Sequence, residues 1–127
     1  MVTIVKAFKL QNFDVEWINA VSKIGYLSIL YQLDNPSGDF SSMWLLADKV
    51  GQFFRNDENC KASAVAFHYY ECENHPPRLF VVPRYPGEYQ DHNTVYNITE
   101  SDNQPETSTT EIILPLVQKL MNSLNNE

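Results

Sequence analysis

The sequence predicts an α+β domain: a mixed or antiparallel sheet of four to five strands with three helices, in the order β-α-β-α-β-β-(β)-α. Three observations predict it. The stretch Ala62 to Val82, ASAVAFHYYECENHPPRLFVV, holds two apolar runs joined by a polar turn. Tyr26 to Leu33 is a third strong apolar run. Met43 to Arg55 and the region from Glu111 to about Leu124 carry broad apolar rows at helical spacing. At 127 residues, 43% hydrophobic and 13% aromatic, the chain reads as a single globular domain spanning 1–127.

Taken in order, Thr3 to Leu10 is the first expected strand. Ile4, Lys6, Phe8 and Leu10 share one parity; Thr3, Val5, Ala7 and Lys9 share the other. Neither face is purely polar, which leaves its register open. Asp14 is placed to cap a helix running to Lys23, with Val15, Ile18 and Val21 three apart and Trp17 and Ile24 beside them. Gly25 stands where a helix C-terminus calls for φ > 0. Tyr26 to Leu33 follows as a strand.

Asp34 to Asp39, DNPSGD, is dense in turn residues. Ser41 or Ser42 then caps a helix over Met43 to Arg55. Trp44, Ala47 and Val50 form one row on it; Met43, Leu46, Val50 and Phe53 or Phe54 form another. Gly51 costs that helix up to about 1 kcal/mol relative to alanine. Asn56 to Lys61 is a polar loop.

Ala62 to Tyr70 is apolar on both faces, the pattern of a central strand covered on both sides. Pro76-Pro77 is expected to interrupt the ladder, so that the partner strand starts near Arg78 and ends before Pro83, with about seven residues between the strands. Beyond Pro83 the chain is rich in Pro, Gly, Asn, Thr and Asp, with an extended possibility at Thr94 to Ile98. Ser108 and Glu111 match a capping box for the last helix, whose inward residues are Ile113, Leu116, Val117, Leu120 and Leu124. Pro115 allows two versions: a helix from Glu111 or Leu114, or a short strand Thr110 to Leu114 followed by a helix from Pro115.

Charge is segregated along the chain. The net charge is −7 and the pI about 4.8. Residues 1–84 carry nine acids and eight bases, whereas 85–111 carry six acids (Glu88, Asp91, Glu100, Asp102, Glu106, Glu111) and no Lys or Arg. The acidic balance argues against nucleic-acid binding, which needs basic groups to displace counterions. No run of about 18 apolar residues is present to cross a membrane. The first residues lack a signal-peptide core, and Cys60 and Cys72 suit reduced thiols, so a cytoplasmic location is expected. Asn97-Ile98-Thr99 is read as a chance sequon.

The segment 85–111 also holds Tyr85, Tyr89 and Tyr96. Aromatic groups anchor and carboxylates steer, so Tyr85, Glu88, Tyr89, Asp91, Tyr96, Glu100 and Asp102 are the expected contacts for a basic protein partner. The alternative for these residues is an ordinary solvated loop.

Other groups were weighed as chemistry. His68, Cys72 and His75, with Cys60 upstream, are permissible zinc ligands, but His68 and Cys72 lie roughly 13 Å apart on a straight strand, so convergence on one ion needs a bulge. A Cys/His nucleophilic pair has no orienting third group in the spacing. Glu71 and Glu73 read as a charged hairpin turn. No P-loop, dinucleotide fingerprint, HExxH, GxSxG or paired CxxC occurs. No metal, cofactor or catalytic residue is assigned.

Two functions are thus in view. One is a small acidic protein that occludes a basic, toxin-like partner; it is similar in size and charge, though not in motif, to the immunity proteins that inhibit nuclease toxins. The other is a small enzyme or ligand-binding domain with a pocket beside the 62–82 hairpin. A third possibility is a subunit of a larger assembly, for which Trp17 and Trp44 would have to be exposed; their spacing predicts both in the core.

Overall fold

The structure, a computed structural model, describes residues 3–31, 40–73, 75–86 and 110–125, the side chains of Thr3 and His75 excepted. Five strands and two helices occur in the order β1 (Thr3–Leu10), β2 (Phe13–Asn19), β3 (Tyr26–Leu30), α1 (Phe40–Asn56), β4 (Ala64–Cys72), β5 (His75–Arg84) and α2 (Thr110–Asn125). The strands form one sheet ordered β1-β2-β3-β5-β4, antiparallel at every pairing. The α+β class and the antiparallel sheet stand; two helices are present among the described residues where three were expected.

The missing helix is the one expected over Asp14 to Lys23. FDVEWIN is a strand because its finer period is two: Phe13, Val15 and Trp17 are buried, and Asp14 and Glu16 between them are not. Gln11 and Asn12 have φ of 49° and 74°, the paired positive values of a two-residue hairpin turn. The stripe Val15–Ile18–Val21 that suggested a helix is divided between the two faces of the sheet: Val15 joins the helix-covered core, Ile18 and Val21 the opposite cluster.

β1 takes its expected span. Its mixed parity has a structural cause: Ile4 pairs with Ile18 and Lys6 with Trp17, so Val5 is an extra residue. This bulge shifts the alternation, and Val5 and Phe8 both reach the main core.

The second correction concerns the hairpin. Among the described strands β4 comes last in the sheet order, and β5 lies between β3 and β4. Cys72 pairs with His75, which leaves a two-residue turn rather than seven. Tyr70 pairs with Arg78, so Pro76 and Pro77 together oppose Glu71 as a bulge, where missing N–H groups do little harm. Pro77 O accepts from Tyr31 N at 2.9 Å. Both faces of the sheet carry apolar clusters, so both sides of β4 meet hydrophobic neighbours.

On one face, Leu10, Val15, Trp17, Leu27, Ile29, Leu79 and Val81 pack under both helices. α1 contributes Met43, Leu46, Ala47, Val50 and Phe54; α2 contributes Ile113, Leu116, Val117, Leu120 and Leu124. Trp17 is central, meeting Phe54 edge-on at 5.4 Å and donating its indole N–H to Ile24 O at 2.8 Å. α2 is helical from Thr110, which overturns the strand version of Thr110 to Leu114. Pro115 lies within it on an exposed position, and the buried row on either side holds the helix across the missing hydrogen bond. The C-terminal end of α2 is tied to the β1–β2 turn: Asn125 Nδ2 donates to Lys9 O at 3.0 Å and Gln11 N donates to Asn125 Oδ1 at 2.8 Å.

No helix among the described residues is long and apolar enough to cross a membrane.

Candidate functional site

The expected partner surface begins where β5 ends. Two serines hold that end of the strand. Ser22 Oγ, from the β2–β3 connection, donates to Pro83 O, and Ser63 donates to Arg84 O through both its amide and its hydroxyl, each at 2.9 Å. Tyr85 comes next. It is half-buried against the main core, and Lys23 Nζ stands 5.7 Å from its ring centroid. The ring is thus part anchor and part cation acceptor. At the other end, Thr110 opens α2 and Glu111 is exposed in its first turn, where a carboxylate suits the positive end of the helix dipole. Glu88, Tyr89, Asp91, Tyr96, Glu100 and Asp102 lie outside the described residues, as do Thr94 to Ile98, Ser108 and the Asn97 sequon.

Three bases of the framework meet acids of the same framework. Arg78 Nη1 is 2.7 Å from Glu16 Oε1, Lys119 Nζ is 2.7 Å from Asp57 Oδ2, and Lys9 Nζ is 3.5 Å from Asp14 Oδ1. Burial alone would raise the Asp57 carboxyl. The Lys119 ammonium, the Asn59 amide and the Cys60 thiol together hold it below the usual carboxylate range. Lys119 is correspondingly raised by its hydrogen bond to Asp57.

The residues weighed as chemistry are dispersed. Cys60, in the α1–β4 loop, is buried, and burial together with the Asp57 charge pushes its thiol up to about 12, which keeps it from acting as a thiolate. Cys72 is half-buried at the hairpin end and is not in a disulfide. The β4–β5 bulge does not gather ligands: the described residues contain no group of three or more His, Cys, Asp or Glu able to hold a metal ion.

His68 has another use. On the helix-free face it stacks on Phe80, rings 6.2 Å apart and 14° from parallel. Tyr70 stacks on the same ring at 6.4 Å, and Tyr26 meets it edge-on at 5.6 Å. Desolvation lowers the His68 imidazole below its ordinary value and raises the buried Tyr26 phenol well above its own. His68 and Tyr70 therefore converge on an aromatic side chain of β5.

The residue that the spacing misplaced is Trp44. Trp17 is in the core as expected, but Trp44 is 38% exposed, beside Phe40 at 43%. Phe40 also meets Tyr31 at 5.8 Å and Tyr69 at 5.2 Å. Trp44 lies on the flank of the apolar stripe, and a helical row does not reveal how far the sheet beneath it extends. When compared with protein-family models, with curated proteins and with solved structures, the chain matches none of them.

Proposed function

We propose that the protein is a small acidic binding protein that occludes a basic protein partner, and that the partner is a nuclease-like toxin, so that the chain acts in the cytoplasm as an immunity or antitoxin-type inhibitor. The observation that carries this reading is the partition of charge. Glu16, Asp57 and Asp14 are matched by bases of the same framework. Residues 87–109 contain Glu88, Asp91, Glu100, Asp102 and Glu106 and no Lys or Arg, and they run between the pinned end of β5 and the start of α2. Carboxylates at that location would fill a cationic groove made for phosphates, with Tyr85, Tyr89 and Tyr96 supplying apolar contact.

The test is capture from the native host with the wild-type chain and with a variant neutralised at Glu88, Asp91, Glu100, Asp102 and Glu106. The wild type should retain a basic protein that is released by raised salt, and the neutralised variant should not. Tyr89→Ala and Asp91→Asn should weaken retention while Glu127→Gln leaves it unchanged. Equal retention by the neutralised variant would sink the proposal.

A further inference from the structure

Four aromatic side chains meet at the start of α1, and the charge beside them is negative. We propose that Tyr31, Phe40, Trp44 and Tyr69, with Glu71, form a docking site for an arginine side chain of a protein partner.

Phe40 is the hub. Its ring meets Tyr69 edge-on at 5.2 Å and Tyr31 edge-on at 5.8 Å, and Trp44 is tilted against it at 6.4 Å. The rings come from the end of β3, the first turns of α1 and β4. Tyr31 and Tyr69 are half-buried and pack against the main core, whereas Phe40 and Trp44 remain about two-fifths exposed. Two anchored rings thus fix the orientation of two open ones.

The charge selects the occupant. Glu71 is exposed and lies two residues beyond Tyr69 on β4, on the same side of the strand. Burial raises the Tyr69 phenol above its ordinary value and the Glu71 carboxylate raises it further, which sets that charge beside the ring. Asp48, one helical turn beyond Trp44, is a second exposed carboxylate and accepts from Gln52 Nε2 at 2.8 Å. Among the described residues Glu71 enters no ion pair. Arg78 bonds Glu16 on the helix-free face, Lys49 lines the groove between α1 and α2 with Asp57 and Lys119, and Arg55 lies eleven residues from Trp44, roughly 16 Å along the helix.

Arginine suits this surface better than lysine. A guanidinium is planar and weakly hydrated, stacks on aromatic rings, and can bond a carboxylate with its fork while it lies on a ring. A lysine ammonium is more strongly hydrated, and a methylated one calls for an enclosing box of rings, whereas Phe40 and Trp44 are open to water. The site is separate from the acidic segment. Tyr31 N donates to Pro77 O near the start of β5, while Tyr85 follows the other end of that strand, so the proposal does not depend on what 85–111 binds.

The probe is a short acetylated and amidated glycine–arginine peptide, with a glycine–lysine peptide of equal charge as control, titrated calorimetrically against the full chain. The wild type should bind the arginine peptide roughly three- to tenfold more tightly than the lysine peptide. Binding should change the emission of exposed Trp44 and leave that of buried Trp17 unaltered. Trp44→Leu and Phe40→Leu should abolish the preference, and Glu71→Gln should weaken arginine binding roughly two- to fivefold. Glu71 is exposed, so this last variant tests the site even where a ring variant fails to fold. Neutralising Glu88, Asp91, Glu100, Asp102 and Glu106 should leave the preference intact. Equal affinity for the two peptides would overturn the proposal, as would a preference that survives Trp44→Leu or an affinity indifferent to Glu71→Gln. A preference lost on neutralising the five acids would overturn it too, while leaving the reading of that segment standing. Tighter binding of a trimethyllysine peptide would overturn the assignment to arginine.

Discussion

Arg78 of β5 reaches across β3 to Glu16 of β2, with Nη1 2.7 Å from Oε1. Glu16 pairs with Ser28, and Arg78 with Leu30, so the ion pair bridges β3 on the helix-free face. It closes over a strand whose Ser28 is fully buried. Both side chains are partly shielded, at 33% and 20% exposure, which lifts the pair above an ordinary surface contact. Arg78→Met should lower stability by about 1–2 kcal/mol, chiefly by leaving the half-buried Glu16 carboxylate without its donor. Adding Glu16→Gln to it should recover part of that loss. Urea denaturation of the two single variants and the double variant measures the coupling.

Gly25 occupies a site that no other residue fits. Its φ is +79°, and a Cβ there would stand 2.1 Å from the carbonyl oxygen of Ile18. That obstacle is backbone in a paired strand, so it cannot swing aside. Gly25→Ala should cost about 2–4 kcal/mol through strain at the special φ and displacement of β2. A thermal melt within a few degrees of wild type would show that the β2–β3 connection is softer than this contact implies.

Acid should weaken the fold in two stages. His68 has its pKa lowered in the folded state by desolvation against Phe80, so the unfolded chain binds the proton more readily. Its contribution is therefore constant above its unfolded value of 6.5 and falls as pH drops through that value. Asp57, also lowered, adds stability that is present above 3.8 and is lost as pH falls below it. His68→Phe should flatten the stability profile between about pH 7 and 5 and leave the lower stage intact. Lys119→Met should shrink the lower stage alone. Denaturant midpoints measured across pH would separate the two, and an unaltered profile in His68→Phe would contradict the first.

Much of the architecture was legible because local pattern and tertiary role agree. α1 and the inward row of α2 follow directly from periodicity, since each has one strongly buried side, whereas β1 takes its expected span with its alternation shifted by the bulge. The Asp14–Lys23 region misled because Val15 and Ile18 are buried on opposite faces of the sheet; two separate apolar clusters imitate one helical stripe. The exposure of Trp44 was not legible either. Its row on α1 is apolar throughout, and spacing along a helix does not show how far the layer beneath it reaches. Of the expected partner-binding residues, Tyr85 alone falls among those described, as a ring seated between the core and Lys23.

By itself the sequence determined the α+β class, the segregation of acidic residues into 85–111, and, Trp44 apart, the buried rows of α1 and α2, because these depend on composition and short-range spacing. Tertiary structure alone decided that β5 lies between β3 and β4 despite three prolines, and that His68 stacks on Phe80. Those outcomes depend on which strands become neighbours, and pairing between segments far apart in the chain leaves no periodic trace in either one.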